Sequence, residues 1–306
     1  MKLYDAVIIG GGGAGLTAAL YTSRAKLSTL LLEKLTSGGQ IALTDIVENY
    51  PGFPEGITGQ EISRRMEEQA KRYGTEIQYQ EVTGIEKKDG NFLVKTAGEE
   101  NFESRSVILA TGASYRNLKV PGEKEFTGRG VSYCATCDGA FFKEKELVVV
   151  GGGDSAMQEG IFLTRFATQV TVVHRRDKLR ASPILQDRAL HHPKMKFIWD
   201  SAVTEIVGEK KVEGVKLQNL KTGESRNFKT DGVFVFIGHD PNTGFLKRFI
   251  ELDEKGYVKT DPKLQASRPG VFACGEIRQG AVQQLVSCCG EGCEAALSAQ
   301  AYLEHP

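Results

Sequence analysis

Short apolar runs that end in glycine open the chain. The run at 6–9 leads into a glycine cluster at 10–15, and a helix-like segment at 16–25 and a second apolar run at 29–33 follow. Short apolar runs bounded by glycine are typical of strands that are buried on both faces of a parallel sheet. The order strand, glycine turn, helix and strand therefore predicts the start of a nucleotide-binding unit.

The same order of elements returns about half a chain later. An apolar run at 147–150 precedes a glycine turn at 151–156, a helix-like segment at 156–166 and a strand at 170–173. Because the unit is duplicated, we expect an α/β protein with two Rossmann-like, three-layer nucleotide-binding domains.

Turn-rich segments predict where the chain passes between these domains. A buried strand at 107–110 is followed by the polar, proline-bearing stretch 114–122, and the strand at 232–238 by the turn-rich stretch 239–244. A strand-like run at 270–275 then completes the first unit. We therefore expect a discontinuous first domain, interrupted by an inserted second one; the predicted bounds are 1–113 with 244–306 for the first and 114–243 for the second.

The charge balance argues against a polyelectrolyte partner. The 306 residues include 39 lysines and arginines and 39 aspartates and glutamates, so no net field draws the protein to nucleic acid. No apolar stretch approaches the ~18 residues that span a bilayer, and the amino terminus lacks the apolar core of a signal peptide. We therefore expect a cytoplasmic protein that binds neither nucleic acid nor membrane.

The first glycine cluster has the spacing of a dinucleotide fingerprint. Gly10 permits the tight turn, Gly12 lets the backbone approach a pyrophosphate, and Gly15 lets helix and strand pack closely. Glu33 ends the next strand, where a carboxylate accepts hydrogen bonds from an adenosine ribose. The alternative is a glycine-rich turn beside a solvated glutamate.

The second cluster differs at the position that contacts the ribose. Gly151, Gly153 and the permitted variant Ala156 keep the fingerprint, but His174 stands where the first unit has Glu33. Arginines follow it, and a planar guanidinium suits a 2′-phosphate, so we expect this domain to bind NADPH. The arginines are Arg175, Arg176 and Arg180. The alternative is a solvated strand end with an internal ion pair to Asp177.

A C-x-x-C pair carries the remaining chemistry. Cys134 and Cys137 can close a small disulfide ring, and Asp138 can donate or accept a proton or cap a helix. A zinc site and an inert buried pair are the alternatives; no second C-x-x-C and no suitably spaced histidine pair supports zinc. We expect the other cysteines to pack as small apolar residues, with an auxiliary redox role as the alternative; they are Cys274, Cys288, Cys289 and Cys293.

Taken together, these motifs resemble those of the low-molecular-weight thioredoxin reductases over nearly the whole chain. The resemblance rests on the two fingerprints, the cysteine pair and several short segments; these segments are 38–40, 48–52, 110–113, 174–177, 238–239 and 241–242. It implies a homodimer with FAD in the first domain and NADPH in the second, and thioredoxin or a thioredoxin-like redoxin as partner. Access of disulfide and nicotinamide to one flavin would alternate by rotation about the two linkers.

The resemblance also assigns roles to residues. Cys134 would react with the thioredoxin disulfide, Cys137 would face the flavin, and Asp138 would handle the proton. The FAD contacts would be Gly10, Gly12, Gly13, Ala14, Gly15, Glu33, Lys34, Gly39, Gln40, Asn49, Thr111, Gly112, Gly275, Glu276, Gln283, Gln284 and Leu285. The NADPH contacts would be Gly151, Gly153, Asp154, Ser155, His174, Arg175, Arg176 and Arg180.

Three positions depart from the family pattern. Glu276 replaces a usual aspartate beside the ribityl chain, Gln283 a common arginine near the pyrimidine, and Gly13 a frequent proline. The first two are expected to tune the flavin potential without removing catalysis. Two further hypotheses stay open: the same chemistry with another dithiol partner, and a silent flavoprotein that senses redox state.

Overall fold

Two units make up the computed structural model, which describes residues 2–44, 46–98 and 100–304. The first unit combines 2–114 with 240–304, and the second is 115–239. The return to the first unit therefore comes slightly earlier in the chain than predicted, because Asn242 is bonded into it. The Asn242 side-chain amide donates to the Thr111 carbonyl oxygen, and the Thr111 hydroxyl donates to the Asn242 carbonyl oxygen, both at 2.9 Å.

The first part of the first unit is built mainly of strands, which carry the sheet, and two helices. Its elements are β1 (Leu3–Ile9), α1 (Gly13–Arg24), β2 (Thr29–Glu33), a 3₁₀ turn (Gly39–Leu43), β3 (Ile46–Val47), β4 (Ile57–Thr58), α2 (Gly59–Arg72), β5 (Glu76–Tyr79), β6 (Val82–Lys88), β7 (Asn91–Thr96), β8 (Asn101–Leu109) and β9 (Ala113–Tyr115).

The second unit and the return to the first follow. The elements are α3 (Glu123–Phe126), β10 (Val131–Ser132), α4 (Ala135–Asp138), a 3₁₀ turn (Gly139–Phe142), β11 (Glu146–Gly151), α5 (Asp154–Leu163), β12 (Gln169–Val173), α6 (Pro183–Leu190), β13 (Met195–Ile198), β14 (Ser201–Val207), β15 (Gly214–Asn219), β16 (Ser225–Lys229), β17 (Gly232–Phe236), β18 (His239–Pro241), two 3₁₀ turns (Gly244–Leu246, Gly275–Ile277), β19 (Val271–Ala273) and α7 (Leu285–Glu304).

Each unit contains a sheet whose central strands are parallel and are the apolar runs of the sequence; in the first unit β7 adds antiparallel to β8, and β6 antiparallel to β7. In the first unit the order is β5-β2-β1-β8-β7-β6, and β19 pairs with β8. In the second it is β10-β17-β11-β12-β13, beside a three-stranded antiparallel sheet, β14-β15-β16. Ile8, Leu31 and Ile108 on the central strands of the first sheet are fully buried, as expected when helices cover such a sheet. The predicted α/β class is confirmed.

The longest helix, α7, does not have the composition of a membrane span. No helix in the described ranges combines the length and the apolar character that crossing a bilayer requires.

Candidate active site

The first glycine turn lies between β1 and α1. Neighbouring backbone leaves no room for a side chain at two of its glycines, whereas a third is uncovered. A Cβ atom on Gly10, where φ is +107°, would lie 2.3 Å from the Ala110 carbonyl oxygen. One on Gly15 would lie 1.8 Å from the Gly10 carbonyl oxygen. At Gly12 no atom lies within 4 Å of that position, so the backbone there is open to a ligand.

Glu33 reaches from the end of β2 to this turn. Its Oε2 atom accepts a hydrogen bond from the Gly11 N–H group at 2.7 Å, and Oε1 accepts from the Leu35 N–H group at 3.2 Å. A carboxylate so placed keeps lone pairs for ribose hydroxyls. The geometry fits the predicted adenosine contact and does not match a freely solvated side chain.

Other predicted flavin residues meet around the same turn. A Cβ atom on Gly39 would lie 3.4 Å from the Gly12 Cα atom, and Leu285 Cδ1 lies where a side chain on Gly13 would project. Asn49 Nδ2 donates to Gln284 Oε1 at 2.8 Å, which joins two predicted contacts from distant parts of the chain.

Three further predicted contacts have partners within the protein. Two of them bond near the end of β8, and the third forms an ion pair at the surface. Gln40 Nε2 donates to the Ala113 carbonyl oxygen at 2.7 Å, and Gly112 accepts from the Asn242 N–H group at 3.0 Å. Lys34 is different, because its Nζ atom pairs with Glu81 at 2.7 Å on the surface.

The side chain of Glu276, another predicted flavin contact in the first unit, contains a buried carboxyl oxygen. Its Oε2 atom is inaccessible and has no hydrogen-bond partner among the described residues, and burial raises the pKa of the carboxyl. A buried polar atom without a partner is costly unless a ligand supplies one. A cavity of ≈ 230 Å³ is lined by Glu276, Arg278 and Gln283, among others. Together with the open turn, this donor set fits the ribityl and phosphate groups of a flavin dinucleotide.

Sequence reasoning missed Glu291, which holds the loop that carries Glu276. Glu291 Oε2 accepts from the Gly275 N–H group at 2.8 Å, and Oε1 pairs with Arg278 at 2.5 Å. No local pattern in the sequence marks this glutamate, because its partners lie on a different element.

The second glycine turn repeats the first in outline. A Cβ atom on Gly151 would lie 2.2 Å from the Phe236 carbonyl oxygen, whereas the corresponding position at Gly153 is open. Asp154 begins α5 and accepts from the Ser182 N–H group at 2.5 Å, and Ser155 beside it is exposed. The turn is thus shaped to take a second phosphate group.

His174 packs against this turn and the arginines follow it at the surface. The imidazole is 5% exposed and lies where a side chain on Gly152 would project. Burial lowers the pKa of His174, and the nearby charge of Arg180 lowers it further. Arg180 donates its backbone N–H to the Gly152 carbonyl oxygen at 2.7 Å, and its side chain, like those of Arg175 and Arg176, is exposed. The guanidinium groups are therefore available to a phosphate.

Cys134 and Cys137 form a disulfide at the start of α4. Their Cα atoms are 5.4 Å apart, and Cys134 Sγ accepts from the Cys137 N–H group at 3.2 Å. Cys137 is exposed and Cys134 half-buried. Asp138 is half-buried beside them, and within the described part of the chain it makes no side-chain capping bond to the next turn.

Three of the four remaining cysteines, Cys274, Cys288 and Cys289, lie in or against the first unit's core, and Cys293 is half-buried on α7. Cys274 is fully buried, and burial raises its pKa; burial likewise raises the pKa of Cys288 to about 12. The Cys289 thiol donates to the Gly13 carbonyl oxygen at 3.7 Å. Thiols so protected are inert at neutral pH. Over residues 2–44, 46–98 and 100–304, no cluster of cysteine, histidine and acidic side chains could hold a metal ion.

Comparison with known proteins agrees with this arrangement. The pyridine nucleotide-disulphide oxidoreductase family matches residues 4–292. A thioredoxin reductase of Bacillus subtilis is 52% identical, over 99% of this chain and 96% of the relative. The structure of Lactococcus lactis thioredoxin reductase in its FR conformation superposes with a TM-score of 0.97 at 46% identity, over 99% of this chain and all of that one. The structure of T. acidophilum thioredoxin reductase superposes with a TM-score of 0.94 at 38% identity, over 98% of this chain and 99% of that one.

The resemblance predicted from the sequence is thereby confirmed. The chain belongs to the pyridine nucleotide-disulphide oxidoreductase family, and within that family to the thioredoxin reductases.

Proposed function

We propose that the chain is an NADPH-dependent thioredoxin reductase, which passes electrons through FAD and the Cys134–Cys137 disulfide to oxidised thioredoxin. The observation that carries this proposal is the formed disulfide in a unit that also contains a complete dinucleotide turn. Family membership implies the use of a flavin and NADP, and the relatives' names supply thioredoxin as the partner.

The first unit would hold FAD. The open backbone at Gly12 would receive the pyrophosphate, Glu33 the adenosine ribose, and Glu276 a hydroxyl of the ribityl chain. FAD held by these residues would supply the two-electron chemistry that links a reduced nicotinamide to a disulfide. The remaining predicted contacts keep their roles as proposals, and they include Lys34, whose ammonium group pairs with Glu81 at the surface.

The second unit would hold NADPH. Gly153 and the start of α5 would bind the pyrophosphate, and the exposed guanidinium groups of Arg175, Arg176 and Arg180 the 2′-phosphate. The neutral His174 imidazole would fill the space against the turn without repelling these cations.

The cysteine pair would complete the reaction by thiol–disulfide exchange. Once reduced, the Cys134 thiolate attacks the thioredoxin disulfide, forms a mixed disulfide and releases one thioredoxin thiolate. The Cys137 thiolate then attacks the Cys134 sulfur, which re-forms the internal disulfide and releases the second thioredoxin thiolate. Asp138 lies where it could supply a proton to a departing thiolate. The homodimer and the cytoplasmic location that the resemblance implies stay predictions.

The test is NADPH oxidation by the FAD-loaded protein with thioredoxin and a terminal disulfide acceptor. We expect thioredoxin-dependent turnover that Cys134→Ser abolishes while flavin bleaching by NADPH continues, because the two half-reactions use different groups. Cys293→Ser, a half-buried thiol on α7, is the matched control and should keep full turnover.

The other outcomes separate the competing hypotheses. Bleaching without thioredoxin turnover would keep the nucleotide sites and point to another disulfide partner. Absence of bleaching with either NADPH or NADH would contradict the assignment of the second site and favour a catalytically silent flavoprotein.

A further inference from the structure

A buried glutamate outside the predicted site binds the segment that leads to the redox disulfide. Glu123 begins α3 and is 5% exposed. Its carboxylate accepts hydrogen bonds from the backbone N–H groups of Leu118 and Lys119, both at 2.6 Å, and from the Tyr133 hydroxyl at 2.8 Å. A buried carboxylate with three donors is held firmly, since leaving any donor unmatched would cost free energy.

Tyr133 is the residue immediately before Cys134, and its ring has partners of its own. It stacks on Tyr115 with ring centroids 6.5 Å apart, and Tyr115 lies 5.2 Å from the His239 ring. Tyr115 and His239 are the first and last residues of the second unit. A continuous set of side chains thus joins both ends of this unit to the residue before Cys134.

The backbone around Cys134 depends on this support because its strand ends early. Strand β10 pairs with β17 through Val131 and Ser132, and the ladder stops there. Beyond it, the Ser132 hydroxyl accepts from the Cys134 N–H group at 3.1 Å. Cys134 then adopts an extended conformation, with φ −137° and ψ 103°, and this directs its sulfur at the Cys137 N–H group. Tyr133 lies between the end of the ladder and this capping geometry, and its side chain is bonded to Glu123 and stacked on Tyr115.

We propose that Glu123 and Tyr133 are positioning residues for Cys134, which hold its sulfur against the Cys137 N–H group and so favour the thiolate in the reduced enzyme. The proposal rests on the proposed redox role of the disulfide. A thiolate that accepts a backbone N–H bond is stabilised relative to the thiol, and thiolate content controls the rate of exchange. Burial and the neighbouring Glu123 raise the pKa of Tyr133, so its hydroxyl keeps the proton that it donates.

The experiment compares Tyr133→Phe and Glu123→Gln with the matched control Tyr79→Phe. Tyr133→Phe removes one oxygen atom and keeps the stacked ring. Glu123→Gln replaces one acceptor oxygen by a donor that faces a backbone N–H group. Tyr79 also bonds a glutamate, Glu67 at 3.4 Å, but on the exposed surface of the first unit. All variants are made as FAD-loaded protein that carries Cys137→Ser, so that Cys134 is the only thiol left from the pair.

The measurement is the rate of Cys134 alkylation by iodoacetamide as a function of pH, followed by mass spectrometry of the Cys134 peptide. We expect Tyr133→Phe to slow alkylation at pH 7 about threefold to tenfold, with the midpoint of the pH profile moved upward. Tyr79→Phe should match the parent. A parent-like rate and midpoint in Tyr133→Phe would overturn the proposal, even if its melting temperature falls, because a purely structural brace leaves the thiol chemistry unchanged.

Two features of the design keep the outcomes separate. If Glu123→Gln does not fold, Tyr133→Phe still decides the question. Flavin bleaching by NADPH is recorded on each preparation, so a protein that is not reduced by NADPH contradicts the proposed function, whereas altered alkylation with normal bleaching concerns the positioning residues alone.

Discussion

The two glycine turns have the same backbone construction and oppositely charged surroundings. A side chain on the first glycine of either turn would collide with a carbonyl of the neighbouring strand, at 2.3 Å from Ala110 in the first unit and 2.2 Å from Phe236 in the second. Two residues later, both turns are open. What differs is the side chain at the end of the next strand, where the first unit has the carboxylate of Glu33 and the second the imidazole of His174 followed by arginines.

The comparison separates two physical requirements. The turn itself needs the absence of side chains, because backbone must approach backbone and phosphate closely. In the proposed function the choice of nucleotide would be made one strand away, where Glu33 accepts from the Gly11 N–H group and His174 packs on Gly152. Binding and selectivity can therefore be disturbed independently.

The largest expected effect comes from filling the tightest contact of the first turn. Gly15→Ala would put a methyl group 1.8 Å from the Gly10 carbonyl oxygen, where neither backbone segment can move freely. We expect the free energy of unfolding to fall by about 3 kcal/mol or more, with loss of bound flavin. Denaturant titration and the flavin-to-protein absorbance ratio measure both effects.

The corresponding position of the second turn provides the control. Ala156 is fully buried, so Ala156→Gly loses only a methyl group and some helix propensity, about 1 kcal/mol, and flavin should be retained. Equal losses of stability in the two variants would mean that the turns do not share the same close packing.

The second prediction tests selectivity at the second turn. Removing both guanidinium groups with Arg175→Ala and Arg176→Ala should lower kcat/KM for NADPH about 100-fold and that for NADH less than about threefold, because only NADPH carries the 2′-phosphate. Arg226→Ala, which removes an exposed cation from β16, is the control and should change neither value. Equal losses of kcat/KM with NADPH and NADH would contradict the assignment of these arginines to the 2′-phosphate.

The smallest expected effect is a pH dependence that differs between the units. His174 has a lowered pKa, so its contribution to stability is present above the ordinary value of 6.5 and is lost as the pH falls through the folded-state value. Trp199, the chain's one tryptophan, lies 6.4 Å from the His174 ring and reports unfolding of the second unit by fluorescence. We expect stability measured in this way to decline below pH 6.5.

His174→Gln should reduce the loss of stability below pH 6.5. Glu276→Gln is the contrasting variant, because the raised pKa of Glu276 gives the opposite sign: its contribution in flavin-free protein is present at low pH and lost as the pH rises. A tryptophan signal that declines equally with and without His174 would assign the acid sensitivity to other groups.

The parts of the fold that depend on local pattern could be predicted from the sequence. The apolar runs became the central strands, and the predicted strand 29–33 is β2 to the residue, because a strand buried on both faces must be apolar throughout. The offset from the first glycine to the strand end is likewise local, so Glu33 and His174 could be identified without a structure.

Contacts between different elements could not be predicted in this way. The hydrogen bonds from Tyr133 to Glu123 on α3 and from Gly275 to Glu291 on α7 join elements whose sequences contain no mutual signal, and a glutamate is usually solvated. Lys34 is a further case: the resemblance implied a flavin contact for it, which stays a prediction, but gave no sign that its ammonium group pairs with Glu81 at the surface. Long side chains go to whichever partner the tertiary structure supplies.

The discontinuity of the first unit has a consequence for synthesis on the ribosome. Strand β19 pairs with β8, and Gly292 on α7 packs so closely on α1 that a side chain there would meet the Ala14 carbonyl oxygen at 2.2 Å. The first unit therefore lacks a strand and a covering helix until the carboxyl end of the chain has been translated, whereas 115–239 already has all its strands. The inserted unit, although second in sequence, is the first that can finish folding.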